Sequence, residues 1–404
     1  MDTSQRISQL EQSLNAGNAS ALDEFWDQVS KEGAPLIESI PNDNEHFLVT
    51  FIWKAASPTI KNVVVFFGPA GRDNPEQNQM TQLLATNLWY RSYIVKSDTR
   101  CTYLLAVDHP LTPLMSRDHF KLLTPDPLNP HRFELCKDEE DPESNDLVMS
   151  VLTLPHAPPQ PWSQPNPEAP KGRLEMHRLS SRILGNERRV WVYLSPEYSP
   201  STNEEYPMLL LFDGFMFIHG IPVFTIIDNL LYAKKIPPQI VVLLDSLNMA
   251  TRNRELTCHE PFVDFLSQEL MPFLREHYRI TNDPSQNTVS GASFGGLAAV
   301  FTGFRASHLF GNVVAMSASF WVNKEGLTEE MSKAETVPVR YYFEVGSLEK
   351  LLNMNMTDCA GRFYDMLISK GYRAEYSIFS GGHDFINWQG SLANGLIAIA
   401  RSDN

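Results

Sequence analysis

The most restrictive feature of this 404-residue chain is the segment Gly291 to Gly295, which reads Gly-Ala-Ser-Phe-Gly. The short run Gln286 to Ser290 precedes it, and the helix-forming residues 296 to 300 follow. A serine on a sharp turn between a strand and a helix needs glycine neighbours, because a Cβ there would collide with the turn or with an adjacent strand. The segment therefore predicts a strand, a turn that exposes Ser293, and a helix, the arrangement known as a nucleophile elbow.

A second constraint is a histidine that lies 90 residues beyond this serine. His383 follows Gly381 and Gly382, after the alternating run Ala374 to Phe379, so we expect it on a flexible loop at a strand end. In α/β-hydrolases the serine, the acid and the histidine of the triad follow in that order along the chain. Ser293 and His383 are therefore the predicted nucleophile and general base.

The triad acid is expected between these two residues, on a loop after an apolar strand. Glu349 follows the run Arg340 to Val345 and is the predicted acid, with Asp358 as the alternative. Asp384 is disfavoured, because a residue rarely folds back onto the Nδ1 atom of its immediate neighbour. Such a triad predicts attack of the serine on an acyl carbonyl.

The oxyanion formed by that attack needs two backbone N–H donors. One is expected from Phe294, the residue after the serine, and the other from Phe215, just after the strand Met208 to Phe212. Gly214 lets the chain turn at that point. Asp213 is expected to brace the turn by hydrogen bonding.

The N-terminal part predicts a helix followed by a β-sandwich. Residues 4 to about 31 have a polar amphipathic helical pattern. Short β-branched and aromatic strands separated by turn residues follow, as in sandwich domains. We therefore assign residues 1–154 to an N-terminal helix plus an immunoglobulin-like β-sandwich.

The C-terminal part has the pattern of an α/β domain. Seven prolines prevent a helix or a central strand in residues 155–172, which we assign to a linker: Pro155, Pro158, Pro159, Pro161, Pro165, Pro167 and Pro170. Beyond them, apolar strands alternate with helical stretches, which indicates a mostly parallel sheet covered by helices. The first two strands, joined through Gly185 and Asn186, read as an antiparallel hairpin at the edge. Residues 173–404 are thus predicted to form an α/β-hydrolase domain.

Composition disfavours several classes of function. A formal net charge of −15 argues against nucleic acid or an anionic membrane as a partner, because phosphates require a positive surface. The polar N-terminus and the lack of a long apolar run favour a soluble, cytoplasmic protein. The four cysteines lack C-x-x-C spacing, which favours free thiols. The acidic segment 138–143 and the pair Arg188 and Arg189 read as solvated surface, and no metal site is expected.

These motifs together resemble the enterochelin (ferric enterobactin) esterase family, which is similar to the esterase D branch of the α/β-hydrolases. The matching segments extend from about residue 45 to the end of the chain and comprise residues 126–130, 154–161, 189–192, 211–214, 252–256, 291–296 and 381–384. The resemblance implies an immunoglobulin-like N-terminal domain and cytoplasmic hydrolysis of the serine trilactone of a catecholate siderophore. It implies no cofactor, since the iron belongs to the substrate.

The resemblance also implies contacts to the substrate. Arg252 is the implied contact to catecholate oxygens, with an ion pair to Glu255 or another carboxylate that braces its loop as the alternative. Asp213 and Trp388 are further candidate substrate-binding residues. Two segments depart from the family pattern. Trp388 is followed by Gln389 rather than Arg, and residues 99–103 replace a Trp-Arg-Gly-Ser-Tyr-like segment. Hydrolysis is therefore predicted more firmly than the identity of the siderophore.

Two other functions are consistent with the sequence. One is a generic esterase D-type carboxylesterase that acts on hydroxycinnamoyl, sugar or peptide-derived esters. The other is a catalytically silent binding protein, which the intact serine, histidine and acid set disfavours. The sequence does not predict the oligomeric state.

Overall fold

The computed structural model describes residues 3–112, 120–201, 203–351 and 354–401. The N-terminal part consists of helices α1 (Gln5–Asn15) and α2 (Ala21–Glu32), followed by strands β1 (Leu36–Ile40), β2 (Asp43–Lys54), β3 (Val63–Phe67), β4 (Thr81–Gln82), β5 (Leu88–Lys96), β6 (Arg100–Val107), β7 (Leu123–Thr124), β8 (Arg132–Leu135) and β9 (Leu147–Thr153).

These strands form two antiparallel sheets that share one core. The first sheet has the order β1-β2-β5-β4, and the second has the order β3-β6-β9-β8, with β7 paired to β6. Alternate side chains of both sheets meet in a single buried cluster, which includes Val49, Phe51, Val63, Val65, Tyr103, Leu105 and Leu152. This is the packing of two half-buried sheets against each other, as the alternating strands of the sequence predict.

The single N-terminal helical stretch expected from the sequence is instead two helices. The first ends at Asn15, and Gly17 follows in the left-handed region with a φ of 83°. Glycine at the end of a helix favours this conformation, because it carries no Cβ. Both helices pack through one buried cluster against the first sheet, and Ile7, Trp26 and Ile52 belong to this cluster.

The C-terminal part alternates strands and helices. Its strands are β10 (Arg173–Ser181), β11 (Asn186–Leu194), β12 (Met208–Leu211), β13 (Ile240–Leu244), β14 (Thr288–Ala292), β15 (Asn312–Met316), β16 (Arg340–Gly346), β17 (Lys350–Leu351), β18 (Met354–Asn355) and β19 (Arg373–Phe379). Its helices are α3 (Gly214–Gly220), α4 (Val223–Tyr232), α5 (Met249–Glu255), α6 (Glu260–Phe265), α7 (Met271–His277), α8 (Phe294–Arg305), α9 (Gly326–Lys333), α10 (Met356–Ser369) and α11 (Phe385–Ala400), and a π turn (Leu266–Leu270) joins α6 to α7.

Eight of these strands form one sheet in the order β10-β11-β13-β12-β14-β15-β16-β19. The pairs β10–β11 and β11–β13 are antiparallel, and all the others are parallel. Successive residues of β12 point into two different cores, since Leu210 belongs to one cluster and Leu209 and Leu211 to the other. The predicted mostly parallel sheet, buried on both faces and preceded by an edge hairpin, is therefore present.

Helices α3 and α4 cover part of the second face of this sheet, where Phe217, Ile226 and Leu230 are buried. Within the described ranges, no single helix is long and apolar enough to cross a membrane. The pair α3 and α4, bent by 76° at its break, meets that criterion only when both helices are taken together.

Arg188 and Arg189, expected on a solvated edge, are buried instead. Arg188 pairs with Glu255 at 2.9 Å, and Arg189 pairs with Asp245 at 2.6 Å and also with Asp138. Burial of a charge is tolerated when an opposite charge and hydrogen bonds compensate it. The acidic segment that contains Asp138 is thus partly a docking point between the N-terminal part and the eight-stranded sheet.

Candidate active site

The turn around Ser293 has the steric features expected of a nucleophile elbow. Strand β14 ends at Ala292, helix α8 begins at Phe294, and Ser293 between them has a φ of 59° and a ψ of −120°. A Cβ added to Gly291 would lie 2.5 Å from the carbonyl group of Gly295, closer than any real contact. The glycines are therefore required by the turn, and the strained backbone presents the serine at the carboxyl end of the sheet.

His383 is held by Glu349, the acid favoured from the sequence. The Nδ1 atom of His383 lies 2.7 Å from Oε2 of Glu349, whose side chain is fully buried. The other carboxylate oxygen accepts hydrogen bonds from Ser317 Oγ and from the backbone N–H of Gly346, each at 2.6 Å. Asp358, the alternative, lies in the first turn of α10, where its carboxylate accepts a bond from Asn355 at 3.3 Å.

Ser293 and His383 line the same cavity, of about 420 Å³. We call it the serine cavity. Both parts of the chain contribute to its wall, which also includes Phe67, Arg72, Thr102, Phe294, Trp321 and Lys350. The structure therefore brings the predicted nucleophile, base and acid to one cavity.

The two N–H groups predicted to bind the oxyanion both lie in the first turn of a helix. Phe294 is the first residue of α8, and Phe215 is the second residue of α3. First-turn N–H groups have no partner within their own helix and are available to an anion. The two turns are in contact, because a Cβ added to Gly295 would lie 3.0 Å from Oδ2 of Asp213.

Asp213 and Arg252, both predicted to meet the substrate, form an ion pair with each other. Two guanidinium nitrogens of Arg252 donate to the two oxygens of Asp213, both at 2.7 Å, and Ser246 Oγ donates to one of them at 2.6 Å. Arg252 is only 12% exposed in its side chain. This bidentate pair braces the turn that carries Phe215, as the sequence suggested for Asp213.

Trp388, the third predicted substrate contact, lies behind the histidine. It is 5% exposed, and its ring meets that of His383 edge to face at 4.9 Å. Its Nε1 atom donates to Ser317 Oγ at 2.9 Å. The tryptophan therefore contacts His383 and is linked through Ser317 to the carboxylate of Glu349, and it is absent from the wall of the serine cavity.

The loop that carries His383 is attached to the N-terminal part, a feature missed in the sequence. Asp384, which is 5% exposed, accepts hydrogen bonds from the backbone N–H of Thr102 at 3.0 Å and from its hydroxyl at 3.3 Å. The N–H of Arg100 also donates to the carbonyl oxygen of Ser380 at 3.0 Å. Strand β6 thus holds the histidine loop in place. Asp384 is also the N-cap of α11, where its side chain accepts a hydrogen bond from the backbone N–H of Asn387.

Burial of Asp384 changes the pKa of its carboxyl and so makes the free energy of unfolding depend on pH. It raises the pKa of this carboxyl from 3.8 to about 7, despite the opposing hydrogen bonds from Thr102 and Asn387. Between about pH 4 and pH 7 the folded protein therefore holds a proton that the unfolded chain has released. We expect the free energy of unfolding to fall as pH rises through this range, by about 1.4 kcal/mol for each unit of pKa difference.

Urea denaturation of the wild type and of Asp384→Asn between pH 4 and pH 8 measures this contribution. The variant retains a capping side chain and lacks the titrating group, so it should show a smaller decrease in stability with rising pH. The same pH dependence in both proteins would contradict a raised pKa at Asp384.

Within the described residues, no group of three or more His, Cys, Asp or Glu side chains is arranged to hold a metal ion. Cys101, Cys136, Cys258 and Cys359 are free thiols.

Comparison with known families agrees with this geometry in both parts of the chain. A family model described as putative esterase matches residues 181–399, and a model described as enterochelin esterase, N-terminal, matches residues 48–163. The sheet and the serine–histidine–glutamate arrangement are those of an α/β-hydrolase-type carboxylic ester hydrolase, and this chain belongs to the putative esterase family. The N-terminal match places it, more narrowly, with the enterochelin esterases.

Relatives and solved structures resemble the chain along most of its length. The iron(III) enterobactin esterase of Escherichia coli K12 is 28% identical over 391 residues, which cover 88% of this chain and 92% of the relative. The crystal structure of the enterobactin esterase of Shigella flexneri in the presence of enterobactin is 26% identical, with a TM-score of 0.74 and coverage of 93% and 97% of the two chains. A ferulic acid esterase from Anaeromyces mucronatus, 18% identical with a TM-score of 0.51, covers 59% of this chain and 95% of its own, and shares the fold alone.

Proposed function

We propose that this protein is a cytoplasmic serine esterase that hydrolyses the lactone bonds of a catecholate siderophore such as ferric enterobactin and so releases iron. The observation that carries the proposal is the composition of the serine cavity. Ser293 and His383 come from the esterase part, and Thr102 and Phe67 come from the part that matches the enterochelin esterase N-terminal model. The enterobactin esterases of the comparison resemble the chain across both parts.

The geometry supports an acyl-enzyme mechanism. Ser293 Oγ attacks the ester carbonyl carbon while His383 takes the serine proton at Nε2. Glu349 accepts the hydrogen on Nδ1 and stabilises the imidazolium that forms. The N–H groups of Phe294 and Phe215 stabilise the oxyanion of the tetrahedral intermediate. When the tetrahedral intermediate collapses, the bond to the leaving alkoxide breaks and this oxygen receives the proton from His383. Water, which gives a proton to His383, then attacks the acyl-enzyme, and a second collapse releases the acid and returns the proton to Ser293.

We also propose that the chain divides as the sequence suggests, into residues 1–154, 155–172 and 173–404, with an immunoglobulin-like sandwich in the first unit. Two antiparallel sheets with a shared core support the sandwich. The proline-rich segment contains one short helical turn, Pro161–Ser163, which supports a linker at that place. The linker contacts the esterase part, since Gln160 donates to the carbonyl oxygen of Ile386 at 2.8 Å.

Mass spectrometry of the products tests the proposed reaction. Ferric enterobactin, its linear trimer and its linear dimer are each incubated with the wild type and with Ser293→Ala, next to a feruloyl ester. We expect the wild type to open and shorten the siderophore, and the variant to leave it intact. Hydrolysis of the feruloyl ester without any cleavage of the siderophore would instead support a generic carboxylesterase.

A further inference from the structure

The serine cavity adjoins a second cavity of different charge. This second cavity, of about 650 Å³, shares the side chains of Leu104, Phe120 and Leu147 with the serine cavity and is otherwise lined by the turn of Phe215 and by acidic loops. We call it the acidic cavity. Among the described residues, its walls hold Lys121 and Arg252 against the carboxylates of Asp138, Asp141, Glu143, Asp146, Asp213 and Asp245.

The serine cavity has no such excess of carboxylates, since two of them face two cations. Its cationic residues besides His383 are Arg72 and Lys350, and its two carboxylates, Glu349 and Asp384, are buried and already hydrogen-bonded. The side chain of Arg72 is 35% exposed, and its nearest carboxylate, on Asp73, is 4.0 Å away. Lys350 is exposed, and no carboxylate of the described ranges pairs with it. Both cations are thus available to a ligand, unlike Arg252.

Aromatic rings accompany these cations. Phe67, Phe120, Phe294, Trp321 and Phe385 all line the serine cavity, and the rings of Phe294 and Trp321 lie 5.9 Å apart. An apolar aromatic wall with two cations in the same lining suits a planar aromatic ligand that carries negative charge on its oxygens. A catecholate has this chemistry.

We propose that Arg72 and Lys350 form the binding subsite for the iron-bound catecholate oxygens and that they give the enzyme its preference for the ferric over the iron-free siderophore. This proposal rests on the proposed function and identifies the charged form of the substrate. Arg72 comes from the N-terminal part and Lys350 from the short strand β17 directly after Glu349, so the subsite requires both parts of the chain.

The preference follows from the chemistry of the ligand. Catechol hydroxyls are phenols, with a pKa of about 10 in the unperturbed case, so the iron-free siderophore is close to neutral at pH 7. Iron displaces these protons and leaves a multiply charged anion. Because the protein as a whole carries a net charge of −15, attraction must come from cations close to the bound ligand.

Steady-state kinetics of Arg72→Gln, Lys350→Gln and the double variant test the subsite. Glutamine keeps most of the side-chain length and removes the charge. We expect each substitution to raise KM for ferric enterobactin about tenfold, as for loss of a charge-assisted hydrogen bond. KM for iron-free enterobactin and for p-nitrophenyl butyrate should change less than about twofold. Added salt should raise KM for the ferric substrate in the wild type and much less in the double variant.

Two controls separate the possible outcomes. Lys31→Gln removes an exposed charge on α2, away from the cavity, and should leave every constant unchanged. Arg252→Gln should lower the rate on all substrates together, because it removes the ion pair that holds Asp213 and the turn of Phe215 in place. If the wild type cleaves both forms, but the ratio of kcat/KM for the ferric form to kcat/KM for the iron-free form is the same in the double variant as in the wild type, the subsite is overturned and the proposed function stands. Failure of the wild type to cleave either form would overturn the proposed function as well.

Discussion

Ser293→Ala and His383→Ala are each expected to lower kcat by several orders of magnitude, and the double variant should be little worse than either single one. The physical reason is that the serine is a weak nucleophile until the imidazole takes its proton, so that the two residues act as one unit. The remaining activity comes from the oxyanion donors, which both substitutions leave in place. Pre-steady-state and steady-state kinetics on an activated ester measure the three rates.

A matched control is available on β14, the strand that leads to Ser293. Ser290 is fully buried, three residues before the nucleophile, and its hydroxyl has no hydrogen-bond partner in the structure described. Ser290→Ala should therefore retain the wild-type rate and stability. If the losses of the two active-site variants instead multiplied in the double variant, Ser293 and His383 would act independently and the proposed triad would fail.

The backbone features that place Ser293 and Glu349 were predictable from local rules. The elbow is set by steric exclusion at Gly291 and Gly295, and the strand–helix alternation is set by the spacing of apolar residues. Glu349 was favoured because it follows an apolar strand, and its position beside His383 agrees with that expectation. These inferences needed only neighbours in sequence.

Side-chain partners from distant segments were not predictable in the same way. For Arg252 the sequence offered substrate contact or an ion pair with Glu255 or another carboxylate, and its partner Asp213 lies 39 residues earlier. Asp384 and Thr102 are 282 residues apart, and no local pattern relates them. Which charge is neutralised depends on which distant segments meet when the chain folds. The sequence therefore predicted the grouping of Ser293, His383 and Glu349 better than the partners of Arg252 and Asp384.

The break between α1 and α2 is a different kind of error. Gly17 and Asn18 provide a turn signal that the amphipathic pattern on either side obscured. The prediction for Arg189 was wrong for another reason, because a rule that holds for most charged residues does not hold for this one. Charged residues are usually solvated, but Asp138 and Asp245 compensate this one in the interior.

Glu349→Gln is expected to lower kcat by roughly two to four orders of magnitude while the fold remains intact, by analogy with loss of the acid in other triads. The hydrogen-bond donors around the carboxylate determine how the amide would be oriented. Ser317 Oγ and the N–H of Gly346 both donate to one oxygen, so the amide oxygen must remain at that end. The amide NH₂ group then faces Nδ1 of His383.

That orientation forces the wrong tautomer on the histidine. Nδ1 must accept from the amide, so Nε2 carries the hydrogen and no longer accepts the proton of Ser293. Circular dichroism and thermal unfolding should match the wild type, because the amide oxygen of the variant would keep the buried bonds to Ser317 and Gly346. Asp358→Asn is the matched control, since this carboxylate lies on α10 and is bonded to Asn355 rather than to the histidine. A large loss in Asp358→Asn, together with near wild-type activity in Glu349→Gln, would transfer the role of the acid to Asp358.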